Sequence, residues 1–396
     1  MMIYKTFKYE LKPVRTQVNL LVQFAGAARF VYNWGLSERI NYYKETGKTL
    51  SFFDQCKLIN KKKKLDEESL WLKNMSSQSI INSLLNLDKA YQNFFRRLKT
   101  GEKPGFPKFK KKGQKDSFSY PQSVKINGSK IWLPKIGWVK FHNSRPAEGK
   151  IKAVTVKREA DRWFACVLCE AEIEDRELPP TNSENAVGID LGVKNFAFLS
   201  DGTSVDNPKF LKHGLDKIKK EQRKLSRKKP GGQNYQKQKM KLAKAHKKVA
   251  NQRKDFQQKL STQIVKNHDI ICVEDLNISQ MITKKGFGQS IGDVGWADFV
   301  NMLEYKCRWN FKRLVKIDQY LATSQICSSC GERKPMPLSV RTYSCGSCGL
   351  VVDRDSNASL NIRAAGLAVL ACGGSALAEP VKQESPDHEN DRGEGQ

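Results

Sequence analysis

Histidine and negative charge are both scarce in this sequence. Five histidines are scattered through 396 residues, and none has a partner at metal-ligand spacing. The sequence therefore offers no histidine-built metal centre. Acidic residues number 41 against 70 Lys+Arg, which leaves a formal net charge of +29. A surplus that large repels itself unless a polyanion neutralises it, and nucleic acid is the obvious one. Long apolar runs are missing as well. The stretch Ala364 to Cys372 near the C-terminus falls far short of the ~20 residues a membrane span needs. Met1 to Lys12 mixes charges with aromatics and has no signal-peptide core. A membrane partner and a secreted disulfide scaffold are thus excluded, and a cytoplasmic, nucleoid-associated protein is expected. In a reducing compartment, paired cysteines bind metal more often than they form disulfides.

What is present falls into blocks. Residues 2 to 12 alternate apolar and polar, which predicts a strand ending before Pro13. A helical period follows in Val18, Leu21, Phe24, Ala28 and Val31. Ser51 and Ser76 or Ser77 are candidate N-caps for two further helices. The segment GEKPGFPKFKKKGQK, 101 to 115, is too rich in Gly, Pro and Lys for a regular element. Its lysines suit phosphates, and Phe106 and Phe109 could stack on bases. It reads equally well as a solvated linker. Asn127-Gly128 marks a hairpin turn among strands that continue to about residue 172. With the first strand these predict a small β-barrel, residues 1–14 and 101–178, into which a helical domain, 15–100, is inserted.

From Ala186 the pattern changes. AVGIDLGVKNFAFLSDGTSV predicts two strands around a turn at Gly192. A helix-permissive stretch follows, broken at Pro230-Gly231-Gly232. Between Lys209 and Lys259 it holds 19 Lys+Arg against Asp216, Glu221 and Asp255. Charge this dense favours contact with a nucleic-acid backbone. The tail, 373–396, is polar and acidic and is expected to be disordered.

Cys327-Ser-Ser-Cys330-Gly and Cys345-Gly-Ser-Cys348-Gly form two knuckles fourteen residues apart. Tetrahedral zinc takes four thiolates, and each CxxCG turn presents two from one tight loop. Cys327, Cys330, Cys345 and Cys348 leave no open position, so the expected Zn²⁺ is structural. Cys166 and Cys169 share the spacing but lie in an alternating strand, where an odd offset points side chains to opposite faces.

A metal-dependent nuclease needs carboxylates converging from distant parts of a chain. Asp190 sits in the apolar strand VGID, where a charge is costly unless it is paired or bound to metal. Glu274 ends a second strand, IICVE, and Asp355 lies in DRDSNASLNI at the start of a helix. Taken singly these are weak signals. Asp190 could serve a strand-end turn, Asp275 competes with Glu274, and Asp353 competes with Asp355. Asp355 could also be a helix N-cap.

The ordered set GIDLGVKNFA, VEDLN, CSSCG with CGSCG, and DRDSNAS resembles the TnpB proteins of bacterial and archaeal insertion sequences, relatives of type V CRISPR effectors. FVYNWGLSERINYY, KPGFPKFKKK and QRKLSRKK extend the resemblance over about residues 3 to 372. It implies an α/β multidomain fold. An RNase H-like RuvC nuclease domain, 185–325 and 350–372, would carry the inserted four-cysteine zinc ribbon, 326–349. An N-terminal β-barrel (wedge) domain would carry a helical recognition domain. The resemblance further implies an RNA-guided DNA endonuclease of a prokaryotic insertion sequence, cutting beside a short transposon-adjacent motif. Its partners would be a guide RNA from the element's end and target double-stranded DNA, in a monomeric ribonucleoprotein. Asp190, Glu274 and Asp355 would hold catalytic Mg²⁺, two ions in the usual scheme. Asp355 is preferred to Asp353 because the family's acid stands two before the asparagine, here Asn357. Leu321-Ala322 departs from the family's usual aromatic and Pro or Ser. The rival expectations are a non-cleaving zinc-ribbon DNA-binding regulator of transposition and a DNA strand-transferase.

Overall fold

The computed structural model describes residues 1–283, 288–337 and 339–373. Two units divide the chain, Met1–Glu174 and Asp175–Gln396. Apart from Gly373, the tail expected to be disordered lies outside the described residues.

In the first unit the N-terminal alternation becomes β1, Met2–Lys12, with Ile3, Phe7, Tyr9 and Leu11 all buried on one face. The helical period becomes α1, Arg15–Thr46, which stops at Gly47 because that residue takes φ 68°. Ser51 caps α2, Phe52–Leu65, by accepting from the Asp54 backbone N–H. A 3-10 turn, Glu67–Asn74, leads to α3, Ser77–Lys99. Arg39 is buried between these helices and is paired on both sides. It donates to Gln55 at 2.7 Å and to Asp88 at 2.6 Å. Residues 101–111 then run without helix or strand. Phe106 packs edge-on against Tyr91 and Phe94, so its ring is already engaged within the protein.

Six strands follow: β2 (Ser117–Tyr120), β3 (Lys125–Asn127), β4 (Lys130–Leu133), β5 (Gly137–Phe141), β6 (Lys150–Glu159) and β7 (Arg162–Glu172). Asn127-Gly128 makes the predicted hairpin, with Asn127 opposite Lys130 and Gly128 at φ 55°. The sheet order is β2-β6-β7-β1-β5-β4-β3, and every pair is antiparallel. This corrects the expected β-barrel. A barrel closes only if its end strands pair. Here β2 and β3 each have one neighbour and remain edges, so the sheet is open. The core is completed by helices instead. Leu21, Phe24, Ala28 and Val31 of α1 join the sheet's apolar face, and Phe24 lies 5.3 Å from Phe118 on the edge strand β2.

The second unit starts with a meander, β8 (Ala186–Leu191), β9 (Asn195–Leu199) and β10 (Ser204–Asp206). The basic stretch folds as α4, Phe210–Ser226, and α5, Gln233–Asn267, joined through the Pro-Gly-Gly break. Ile218, Leu225, Leu242, Ala245 and Val249 zip the two helices together, which leaves most of the lysines outside. Then come β11 (Ile270–Glu274), α6 (Ile278–Thr283), α7 (Gly288–Val294), α8 (Trp296–Trp309) and β12 (Arg313–Ile317). A two-stranded ribbon, β13 (Thr342–Ser344) with β14 (Val351–Asp353), precedes the last helix, α9 (Arg354–Ala371). The main sheet runs β10-β9-β8-β11-β12, and β8, β11 and β12 are parallel. The parallel strands are apolar on both faces because helices cover both. The fold as a whole is mixed α/β with a four-cysteine cluster. Among the described residues, no helix is long and apolar enough to cross a membrane.

Candidate active site and zinc centre

Parallel pairing brings the first two acids side by side. Ile189 lies opposite Val273 in the β8–β11 register, so the next residues, Asp190 and Glu274, share the carboxyl ends of adjacent strands. The third acid arrives on α9. That helix presses on β8 where Gly188 has no side chain. A Cβ there would stand 2.1 Å from the Ser359 carbonyl oxygen. Asp190 lies two residues beyond this contact along the strand, and Asp355 lies one turn before it along the helix. Each step is roughly 6 Å.

Asp190 feels the charges of Glu274, Asp355 and, more weakly, Asp353. Burial raises the pKa of Asp190 to about 7, and the charges of Glu274 and Asp355 add to the rise, against a smaller opposing effect of Arg354. Burial also raises Glu274, partly offset by the Thr323 hydroxyl, which donates to Oε1 at 2.8 Å. Asp355 is half-buried, with the Arg341 guanidinium 3.5 Å from Oδ1. The neighbouring candidates stand differently. Asp353 caps α9, accepting from the backbone N–H groups of Asp355 and Ser356 at 2.8 and 3.3 Å. Asp275 is exposed to solvent. A buried Asp190 whose pKa is raised by burial and then by neighbouring carboxylates is what a bound cation would relieve. The donor set therefore fits hard divalent ions. The three carboxylates are nonetheless spread wider than a closed shell. Among the described residues, the cysteine cluster is the only group of three or more potential ligands whose atoms all lie within 4.8 Å of one another.

That cluster is Cys327, Cys330, Cys345 and Cys348. The sulfurs of Cys327 and Cys348 are 3.6 Å apart, as are those of Cys330 and Cys345. Thiolates about 2.3 Å from a tetrahedral zinc would stand about 3.8 Å from one another, so the site fits zinc. One cysteine of each knuckle favours thiolate, while the neighbouring sulfurs push Cys330 up to about 12. The backbone N–H of Cys330 lowers the Cys327 pKa, and those of Cys348 and Ser347 bring Cys345 to about 6. Cys169 is buried and Cys166 only half-buried, on opposite faces of β7.

Three family profiles match the chain. One is described as "Probable transposase" (residues 166–285), one as the Cas12f1-like TNB domain (296–362) and one as a helix-turn-helix domain (1–48). InsQ of Escherichia coli (strain K12), named as a "putative RNA-guided DNA endonuclease", is 36% identical over 96% of this chain and 97% of its own length. A protein of Streptomyces pristinaespiralis with the same description is 33% identical over 94% of this chain and 91% of its own. The chain belongs to the TnpB family. Its fold matches that of the cryo-EM structure of a Cas12f1–sgRNA–target DNA complex. The TM-score is 0.54 at 14% identity, over 91% of this chain and 99% of that one. In this TnpB-family chain the residues matched to a helix-turn-helix form one strand and one 32-residue helix.

Residue types alone missed several groups that shape the site. Asn357 is fully buried and grips the loop that enters the ribbon. Its amide donates to the Ile326 carbonyl at 2.6 Å, and its Oδ1 accepts from the Ser328 N–H at 2.9 Å. Asn361 donates to the carbonyls of Thr323 and Ile326. Arg354 is buried and donates to the Pro337 carbonyl and the Ser324 hydroxyl. Their signal lay inside the DRDSNASLNI motif, where both asparagines and the arginine stand on one short helical stretch.

Proposed function

We propose that this TnpB-family chain is an RNA-guided, Mg²⁺-dependent DNA endonuclease that cuts at a centre built from Asp190, Glu274 and Asp355. The observation that carries the site is the parallel register that sets Asp190 and Glu274 at adjacent strand ends, with the raised pKa of Asp190 in keeping with it. The family relationship over nearly the full length of InsQ supports the activity. Bound divalent ions would activate the attacking water and shield the leaving oxygen of the phosphodiester. Asp190 and Glu274 supply ligand oxygens from rigid strand ends, and Asp355 supplies one from the first turn of α9. The lysines outside α4 and α5 suit the phosphates of a guide–target duplex. Base pairing with the guide then selects the target, and the protein reads only a short flanking motif. Zinc in the four-cysteine site holds the ribbon and takes no part in cutting.

The domain plan belongs to the same proposal. Residues 1–14 and 101–178 form the open-sheet wedge domain, with the recognition helices 15–100 inserted. Residues 185–325 and 350–372 form the nuclease domain around the ribbon 326–349. A non-cleaving regulator would need no cluster of buried acids. Sequencing the RNA that copurifies with the protein, then supplying matched target with Mg²⁺, tests the reading. A single RNA class and guide-matched cleavage are expected. No product with any matched target, or products that are joined rather than cut, would overturn it.

A further inference from the structure

The loop that enters the zinc ribbon is fastened on two sides. Its Thr323 is buried and donates its hydroxyl to Glu274 Oε1 at 2.8 Å. Its Ser324 hydroxyl accepts from Arg354, the residue just before Asp355, at 3.2 Å. Two adjacent side chains thus reach the strand that carries one acid and the helix that carries another. The strap cannot drift, because Asn361 holds the Thr323 carbonyl at 2.7 Å. Asn357 and Asn361 together hold the Ile326 carbonyl, one residue before the first zinc-site cysteine. Cys327 itself is pinned by its N–H to the Glu332 carbonyl at 2.8 Å. Glu274 is mostly buried and has no other side-chain hydrogen bond among the described residues. The Thr323 hydroxyl is therefore what selects which carboxylate oxygen is held and which is free. A carboxylate of a metal site gains affinity when such a partner fixes its rotamer.

We infer that Thr323 is a positioning residue for Glu274, and that the ribbon's entry strap sets the angle of this carboxylate in the cutting centre. The inference rests on the proposed reading of Glu274 as a metal ligand. The hydroxyl acts through Glu274, the group it donates to. One Glu274 oxygen accepts from Thr323, and the other has no side-chain hydrogen bond among the described residues. The strap is anchored by α9 and by the cysteine knuckle, so the ribbon acts as a brace for the acid cluster.

The test is a Mn²⁺ titration of the full-length protein with its copurified RNA, read by electron paramagnetic resonance. The variants are Thr323→Val, Thr323→Ser and Asp190→Ala, and each one's melting temperature and RNA content are measured alongside. Thr323→Val keeps the shape and removes the donor. It should weaken Mn²⁺ binding by about tenfold or more. The Mg²⁺ concentration for half-maximal cleavage should rise in parallel, with RNA content unchanged. Thr323→Ser keeps the donor and should restore both values. If Thr323→Val binds Mn²⁺ as the parent does while Asp190→Ala does not, the positioning role is wrong and the acid site stands. If Thr323→Ser weakens binding as much as Thr323→Val, the threonine acts through packing and the inference also fails. If Asp190→Ala binds Mn²⁺ like the parent, the underlying acid site is wrong.

Discussion

The second unit holds two metal-suited clusters built on opposite principles. The cysteine cluster is closed before any ion arrives. Its four sulfurs lie within 4.8 Å of one another, and backbone N–H groups already favour thiolate on Cys327 and Cys345. The acid cluster is open and strained. Its carboxylates come from β8, β11 and α9, stand farther apart, and raise the pKa of Asp190. On the proposed reading, the difference matches two tasks. A structural ion needs a complete shell that never changes. A cutting centre needs unsatisfied negative charge at a place where substrate oxygens can complete the shell.

The comparison is broken most severely at the cysteines. Cys330→Ser should take the zinc content from about one per chain to near zero. It should also cost several kcal/mol of stability, seen as a large fall in melting temperature with elemental analysis alongside. Loss of zinc with an unchanged melting temperature would remove the structural role. Next in size is Gly188→Ala. Its Cβ would meet the backbone of Ser359 and Arg363 at 2.1 and 2.5 Å, so α9 must move off β8. The expected cost is about 3 kcal/mol. Cleavage should fall while zinc remains bound, because the ribbon's own shell is untouched. Equal loss of zinc would mean that the two clusters are not separable.

These clusters also differ in how far sequence reveals them. The four thiolates lie within 22 residues, and each pair is set by one turn, so the spacing alone names the site. The acids could be nominated from strand-end and helix-start patterns, but residue types could not decide between Asp353 and Asp355. That choice depends on which carboxylate caps α9, and capping follows from φ and ψ at one peptide. Thr323 and Arg341 gave no signal, because a hydroxyl or guanidinium aimed across a fold leaves no periodic trace. Strand positions in the first unit followed from alternation and from Asn127-Gly128. Closure did not, because it depends on whether β2 and β3 meet, and alternation within a strand says nothing about its distant neighbour. Helix α1 covers the face that closure would have sealed.

A smaller effect separates the clusters by pH. With its pKa raised to about 7, Asp190 is better accommodated when protonated. In metal-free protein this stabilisation is full below the ordinary carboxylate range and is lost as pH rises through about 7. Melting temperature without divalent ions should therefore fall between about pH 4 and pH 7 and level off above. Asp190→Asn should flatten that fall. An Asp190→Asn profile that matches the parent would place the strain elsewhere. The smallest effect concerns the two acids at the start of α9. Asp353→Ala should lose a helix cap worth about 1 kcal/mol and keep its cleavage, whereas Asp355→Ala should lose cleavage. The reverse pattern, read in the same cleavage and melting assays, would exchange their roles.

Negative charge on Asp190 is, on the proposed reading, the chemical requirement of the cutting centre. Asp190→Asn removes the charge and keeps the shape. The decisive measurement is single-turnover cleavage of a guide-matched DNA by the purified Asp190→Asn ribonucleoprotein at saturating Mg²⁺, with zinc content and copurified RNA quantified in the same preparation. Parental zinc and RNA are expected, with cleavage reduced by at least about a thousandfold, the loss of roughly 4 kcal/mol of transition-state stabilisation. Parental cleavage rates in that preparation would contradict the proposed role of Asp190.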